Sequence, residues 1–173
     1  MDEHLQRIRN QISARQITLN LPLKESDVRA FERRHKVELP AGYRAFLLTL
    51  GDGGSEAGPH GEELYRLGQY PPNDVPKPEY VHLPDIGRQF PFTATTVWED
   101  HCDNCDNEKY QDDLSRLHYG NLCLVESGCG LYYHLIVTGP ERGNVWQFAW
   151  DTGICPAGDK PEFLDWFENS LIG

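Results

Sequence analysis

At 173 residues the chain has the length of one domain, since two would each sit near the lower size limit. A hydrophobic fraction of 39% with 11% aromatics supplies a core and excludes wholesale disorder. A net charge of −11 disfavours DNA or RNA and favours basic partners. No apolar run approaches the ~18–20 residues that cross a bilayer.

The charge is uneven. Residues 1–50 hold nine Lys/Arg against six Asp/Glu, whereas residues 51–173 hold seven against twenty-one. The opening Met1–Asn10 is polar and lacks the apolar core of a signal peptide, so a cytoplasmic protein is expected. Five cysteines form no evident disulfide framework, and in that compartment they serve as core thiols or metal ligands.

Residues 2–14 predict an amphipathic helix on Leu5, Ile8 and Ile12. Gln16 to Leu23 alternates and reads as a short strand or extended linker, with Pro22 confining it to an edge. Ser26 is a good N-cap for a helix to about Lys36 that buries Val28 and Phe31. A second helix over Leu39–Leu50 places Pro40 in its first turn. Tyr43, Phe46, Leu47 and Leu50 form its stripe, and Gly51 is its expected left-handed stop.

Glu63–Leu67 reads as a strand. Six prolines between residues 70 and 91 exclude a continuous helix or central strand. Thr93–Trp98 predicts a strand or a helix start. Asn121–Val125, Leu131–Thr138 and Asn144–Trp150 are three strand-like runs separated by Gly-bounded turns, hence an antiparallel meander. The middle run is apolar nearly throughout, as for a strand covered on both faces. A last helix over Lys160–Leu171 buries Phe163, Leu164, Phe167 and Leu171. Together these predict an α+β fold, a curved antiparallel sheet with helices packed mainly on one side.

Leu39-Pro-x-x-Tyr43-x-x-Phe46-Leu47 followed by Gly53-Gly54 resembles the opening signature of the SUKH superfamily, although Asp52 stands where members usually have asparagine. The order of the later strands, Gly143-Asn-Val-Trp146 and the Phe163-x-x-x-Phe167 helix follow the same pattern. The resemblance covers roughly residues 24–54 and 118–171. It implies one SUKH-like domain over 1–173, with an irregular proline-rich and acidic insert at about 70–118. That group contains bacterial immunity proteins that neutralise toxins and fungal cell-wall-assembly regulators. The implied function is therefore non-enzymatic binding of a protein partner, an immunity protein first and a regulatory scaffold second.

Between residues 99 and 113, seven carboxylates face only Lys109. Glu99, Asp100, Asp103, Asp106, Asp112 and Asp113 are the candidate partner-binding residues, an exposed acidic surface for a basic toxin domain. Cys102-x-x-Cys105 could hold a zinc ion only if His101, His118, Cys123 or Cys129 completed four ligands. The favoured expectation is no metal, no cofactor and no catalytic residue. Nucleotide-loop and serine-elbow motifs are absent. Cys129 between two glycines, five residues before His134, reads as turn geometry rather than as a nucleophile with its base.

Overall fold

The computed structural model describes residues 1–69, 83–97, 112–113, 115–149 and 152–171. Four helices, α1 (Asp2–Arg15), α2 (Glu25–His35), α3 (Ala41–Thr49) and α4 (Phe163–Ser170), accompany seven strands among these residues. The strands are β1 (Thr18–Leu19), β2 (Gly54–Ser55), β3 (Thr96–Val97), β4 (Asn121–Glu126), β5 (Leu131–Ile136), β6 (Val145–Ala149) and β7 (Gly153–Pro156). β1 and β2 form a small antiparallel pair, while the other five form an antiparallel sheet in the order β3-β7-β6-β5-β4. The fold is α+β, as expected.

The helix starts and stops differ from the sequence reading. Lys24, with extended backbone, occupies the cap of α2, and Ser26 is the second residue of the helix. Pro40 is the cap of α3 rather than its first-turn residue; its carbonyl accepts the Arg44 N–H at 2.9 Å. Leu50 keeps a right-handed conformation, and the left-handed residue is Gly53 at φ 71°. Gly51 is small for another reason: a Cβ there would stand 2.6 Å from the Asn20 carbonyl and 2.7 Å from the Leu19 Cβ. The glycine-rich stop of α3 is thus where the β1 segment lies against the chain.

Two apolar layers flank the large sheet. On one face, Leu122, Leu124, Leu135 and Val145 meet Leu5 and Ile8 of α1, Tyr43, Phe46 and Leu47 of α3, and Phe163 and Phe167 of α4. The rings of Phe46, Phe163 and Phe167 pack with centroids 4.9–5.2 Å from Phe46 in edge-to-face pairs. A register shift between Cys123 and Val125 lets Leu124 and Val125 both join this layer, while Cys123 points to the other.

The opposite face is covered by chain without helices of that kind. Phe90, Phe92 and Leu117 close over Cys123, Tyr132, Ile136, Trp146, Phe148 and Ile154. The 70–118 stretch therefore contributes to the core at its described parts, because Ile86 and Phe90 are fully buried there. Helices on one side and an aromatic loop layer on the other is the architecture.

Three further expectations are corrected. Of Glu63–Leu67, only Leu64 makes a β-bridge, to Gly54, so no strand forms. β7 was not foreseen, because Gly153-Ile-Cys-Pro156 is bounded by residues that usually mark turns. The last helix begins at Phe163 rather than near Lys160. Residues 70–82 and 98–111, with most of the proline-rich and acidic run, lie outside the described residues.

Candidate functional site

The helices cover their face of the sheet unevenly. Leu135 and Val145, paired across β5 and β6, are fully buried. Two residues further along, Tyr133, Gln147 and Cys155 stand side by side in register across β5, β6 and β7, and all three are half-buried. Successive alternate residues share a face, so this row faces the same way as the covered one yet reaches solvent. Leu131, the next residue of β5 on that face, is also half-buried.

Trp166 of α4 borders the row, its ring 5.5 Å from that of Tyr133. The β4–β5 turn and the loop before Leu64 form another border. There the Ser127 hydroxyl donates to Glu62 Oε1, and the His60 N–H donates to Glu62 Oε2 at 2.7 Å. Burial alone would raise the Glu62 carboxyl, but these hydrogen bonds outweigh it and hold the group below the usual carboxylate range. Burial, with the Glu62 and Cys155 side chains nearby, raises the Tyr133 phenol. Tyr133 therefore stays neutral beside an ionised Glu62 near pH 7.

Glu126 belongs to the other face, since its strand partner Tyr132 and its contact Tyr65 both lie in the loop-covered layer. Tyr65 Oη donates to Glu126 Oε2 at 3.3 Å, and Gln69 Nε2 donates to Glu63 Oε1 at 3.3 Å. An open groove of about 630 Å³ also runs between the end of α1, with Arg15 and Gln16, the loop carrying Glu56 and His60, and Ser170. The Tyr133 row is a shallow surface with an aromatic centre, an amide, a thiol and the Glu62 carboxylate at its border. Such groups bind by contact area and adaptable hydrogen bonds.

The candidate catalytic pairing is absent from this geometry. Cys129 is exposed at the tip of the β4–β5 turn, whereas His134 is buried on the loop-covered side of the sheet. His134 stacks on Phe148 at 4.0 Å, with Nδ1 2.8 Å from Asn121 Oδ1. Asn121 Nδ2 already donates to the Leu117 and Tyr119 carbonyls at 2.6 and 3.0 Å. Its Oδ1 must then accept, so His134 carries its proton on Nδ1. Burial, helped by nearby His118, lowers the imidazole to about 3. His134 is a neutral strut in a polar clamp.

Of the six predicted acidic residues, two are described. Asp112 is exposed and pairs with Arg116 at 2.6 Å. Asp113 is buried and pairs with the same guanidinium at 2.7 Å. The expectation that both are free surface charge is corrected for Asp113, because a helical turn folds Arg116 back over it. Glu99, Asp100, Asp103 and Asp106, with Cys102 and Cys105, lie outside the described residues. Among the described residues no group of three or more His, Cys, Asp or Glu is placed to hold a metal ion, and no helix is long and apolar enough to cross a membrane.

The tryptophans divide as well. Trp146 is wholly buried and Trp166 nearly so, while Trp98 and Trp150 lie outside the described residues. Tyr133 and Gln147 carried no separate signal in the sequence, where they read as ordinary strand positions. Only the incomplete helical cover marks them out.

Comparison with known proteins gives one positive result. The family described as SMI1 / KNR4 family (SUKH-1) matches over residues 22–169, which spans every element from α2 to most of α4. No curated protein and no solved structure matches the chain.

Proposed function

The chain belongs to the SMI1/KNR4 family (SUKH-1), and from that premise we propose that it is a non-enzymatic binding module, an immunity protein that neutralises a toxin by direct association. The open row Tyr133–Gln147–Cys155 beside Trp166 is the observation that carries this reading. A half-covered sheet face with aromatic and amide groups offers a contact surface of the kind that anchors protein partners. Ionised Glu62 at its border, together with the −14 balance of residues 51–173, favours a basic toxin domain. The acidic residues Glu99, Asp100, Asp103, Asp106 and Asp112 add to the attraction that steers encounter.

The family also holds regulators, and one experiment separates the two roles. The chain is co-expressed with the toxic product of the gene adjacent to its own. An immunity protein restores growth and co-purifies with the toxin in fixed ratio. Growth arrest despite abundant soluble chain rejects immunity and favours the regulatory reading. With the complex in hand, the association rate should fall steeply as salt rises, while dissociation changes less.

A further inference from the structure

The acidic surface accounts for most of the charge, but the basic side chains are distributed in a way that it leaves unexplained. Among the described residues, most cations are engaged. Arg7 pairs with Glu168, Arg44 with Glu25 and Glu32, Arg116 with Asp112 and Asp113, and Lys160 with Glu141. Arg9, Arg66 and Arg142 donate to oxygens of Thr49, Asn20, Glu38 and Leu39. Arg88 lies over the Tyr119 ring at 3.7 Å. Arg33, Arg34 and Lys36 are exposed and have no such partner among the described residues, and they fall within four consecutive positions.

Their placement is ordered. Arg29 and Arg33 are one turn apart on α2, about 6 Å at 1.5 Å per residue, and Lys36 is the left-handed residue that caps its carboxyl end. With Glu32 and Val37 they line an open groove of about 410 Å³. The Glu32 carboxylate is occupied, because it accepts the Leu39 N–H at 3.0 Å and pairs with Arg44. Arg29 keeps one contact, to Glu25 at 2.6 Å. Half-buried Val37 supplies an apolar floor. Cations favour the carboxyl end of a helix through its dipole, yet that effect explains their position without providing an anion.

We propose that this α2 groove is a second docking surface, one that receives an acidic segment of a protein partner. Carboxylates on alternate residues of an extended segment repeat about every 7 Å, close to the ~6 Å rise from Arg29 to Arg33. A nucleic acid fits the same stripe poorly. Its continuous phosphates run on past the few cations towards Glu25, Asp27, Glu32 and Glu38 on or beside the same helix, whereas a short acidic segment sets its carboxylates on the cations alone. This surface is independent of the open sheet row. One face thus meets basic chemistry and the other acidic.

The test uses the whole chain and a fluorescent Asp/Glu-rich peptide at low ionic strength. The variant Arg33→Gln/Arg34→Gln/Lys36→Gln should bind it about tenfold more weakly or worse, with an unchanged thermal midpoint. The control Arg15→Gln/Lys24→Gln removes two other cations without a partner and should stay within about twofold of wild type. Equal loss in both variants, no loss in the triple variant, or no binding by wild type overturns the proposal. So does equally tight binding of a DNA oligonucleotide of matched charge. Sedimentation showing that the α2 cations instead drive self-association would also overturn it.

Discussion

The two faces of the large sheet are buried by different means. On the helix-bearing face, regular periodicity supplies the contacts, and rings from α3 and α4 interlock around Phe46. On the other face, Phe90 and Phe92 come from irregular chain, and Phe90 packs edge-on against both Phe92 and Trp146. That layer is held by hydrogen bonds. Asn121 grips the carbonyls of Leu117 and Tyr119, and Thr138 Oγ1 accepts from Phe90 N–H and donates to the Arg88 carbonyl. Helices bring their own satisfied backbone to a core, whereas a loop layer needs polar side chains to satisfy its backbone.

The two layers depend most on their aromatic centres. Phe46→Ala should cost about 3–5 kcal/mol and lower the global denaturation midpoint, since α3 and α4 lose a shared ring. Phe90→Ala should cost about 3 kcal/mol, at the lower edge of that range, because a loop collapses into a cavity more readily than a helix. Hydrogen exchange separates the two: Phe46→Ala should expose amides throughout the sheet, and Phe90→Ala chiefly those of residues 83–97 and 115–121. Uniform exposure in both variants would contradict a division into two layers.

Asn121→Ala tests the polar clamp. It leaves the Leu117 and Tyr119 carbonyls and the His134 Nδ1–H without partners, for an expected loss of about 1–3 kcal/mol in a urea titration. Asn121→Asp should not rescue it, because a carboxylate cannot donate to either carbonyl.

Over a single pH unit, the smallest effect is a pH dependence peculiar to the loop-covered face. Burial holds His134 down to about 3, against an ordinary value of about 6.5. Below pH 6.5 the unfolded chain takes up a proton that the folded chain refuses. Stability therefore rises with pH between about 3 and 6.5, and falls as pH drops through that window. Between pH 5 and 6, where most carboxylates are still ionised, the slope from this group should approach about 1.4 kcal/mol per pH unit. The His134 ring signals in NMR should show the neutral Nδ1–H tautomer at pH 5. A titration centred near 6.5 would sink this prediction.

Much of the helix-bearing face was legible in the sequence, because Leu5 and Ile8, Tyr43, Phe46 and Leu47, and Phe163 and Phe167 repeat at helical spacing. The meander of β4, β5 and β6 was legible from β-branched and aromatic runs between glycine turns. The opposite layer was not: Phe90 and Phe92 sit among prolines and follow no period, so their burial is a tertiary fact. Ser26 is a better intrinsic cap than Lys24, yet the backbone of α2 turns two residues earlier. The open row was invisible for a simpler reason. Tyr133 and Gln147 differ from their covered neighbours only in where the helices end.

If the proposed function holds, the open row binds the partner, and calorimetric titration with a toxin that the chain is found to neutralise is the direct test. Tyr133→Ala removes the aromatic centre and Gln147→Arg sets a cation against a basic surface. Each should weaken the complex by about thirtyfold or more, as expected for an interface anchor, with circular dichroism unchanged. Affinities equal to wild type for both variants, in correctly folded protein, would contradict the claim and place the interface elsewhere.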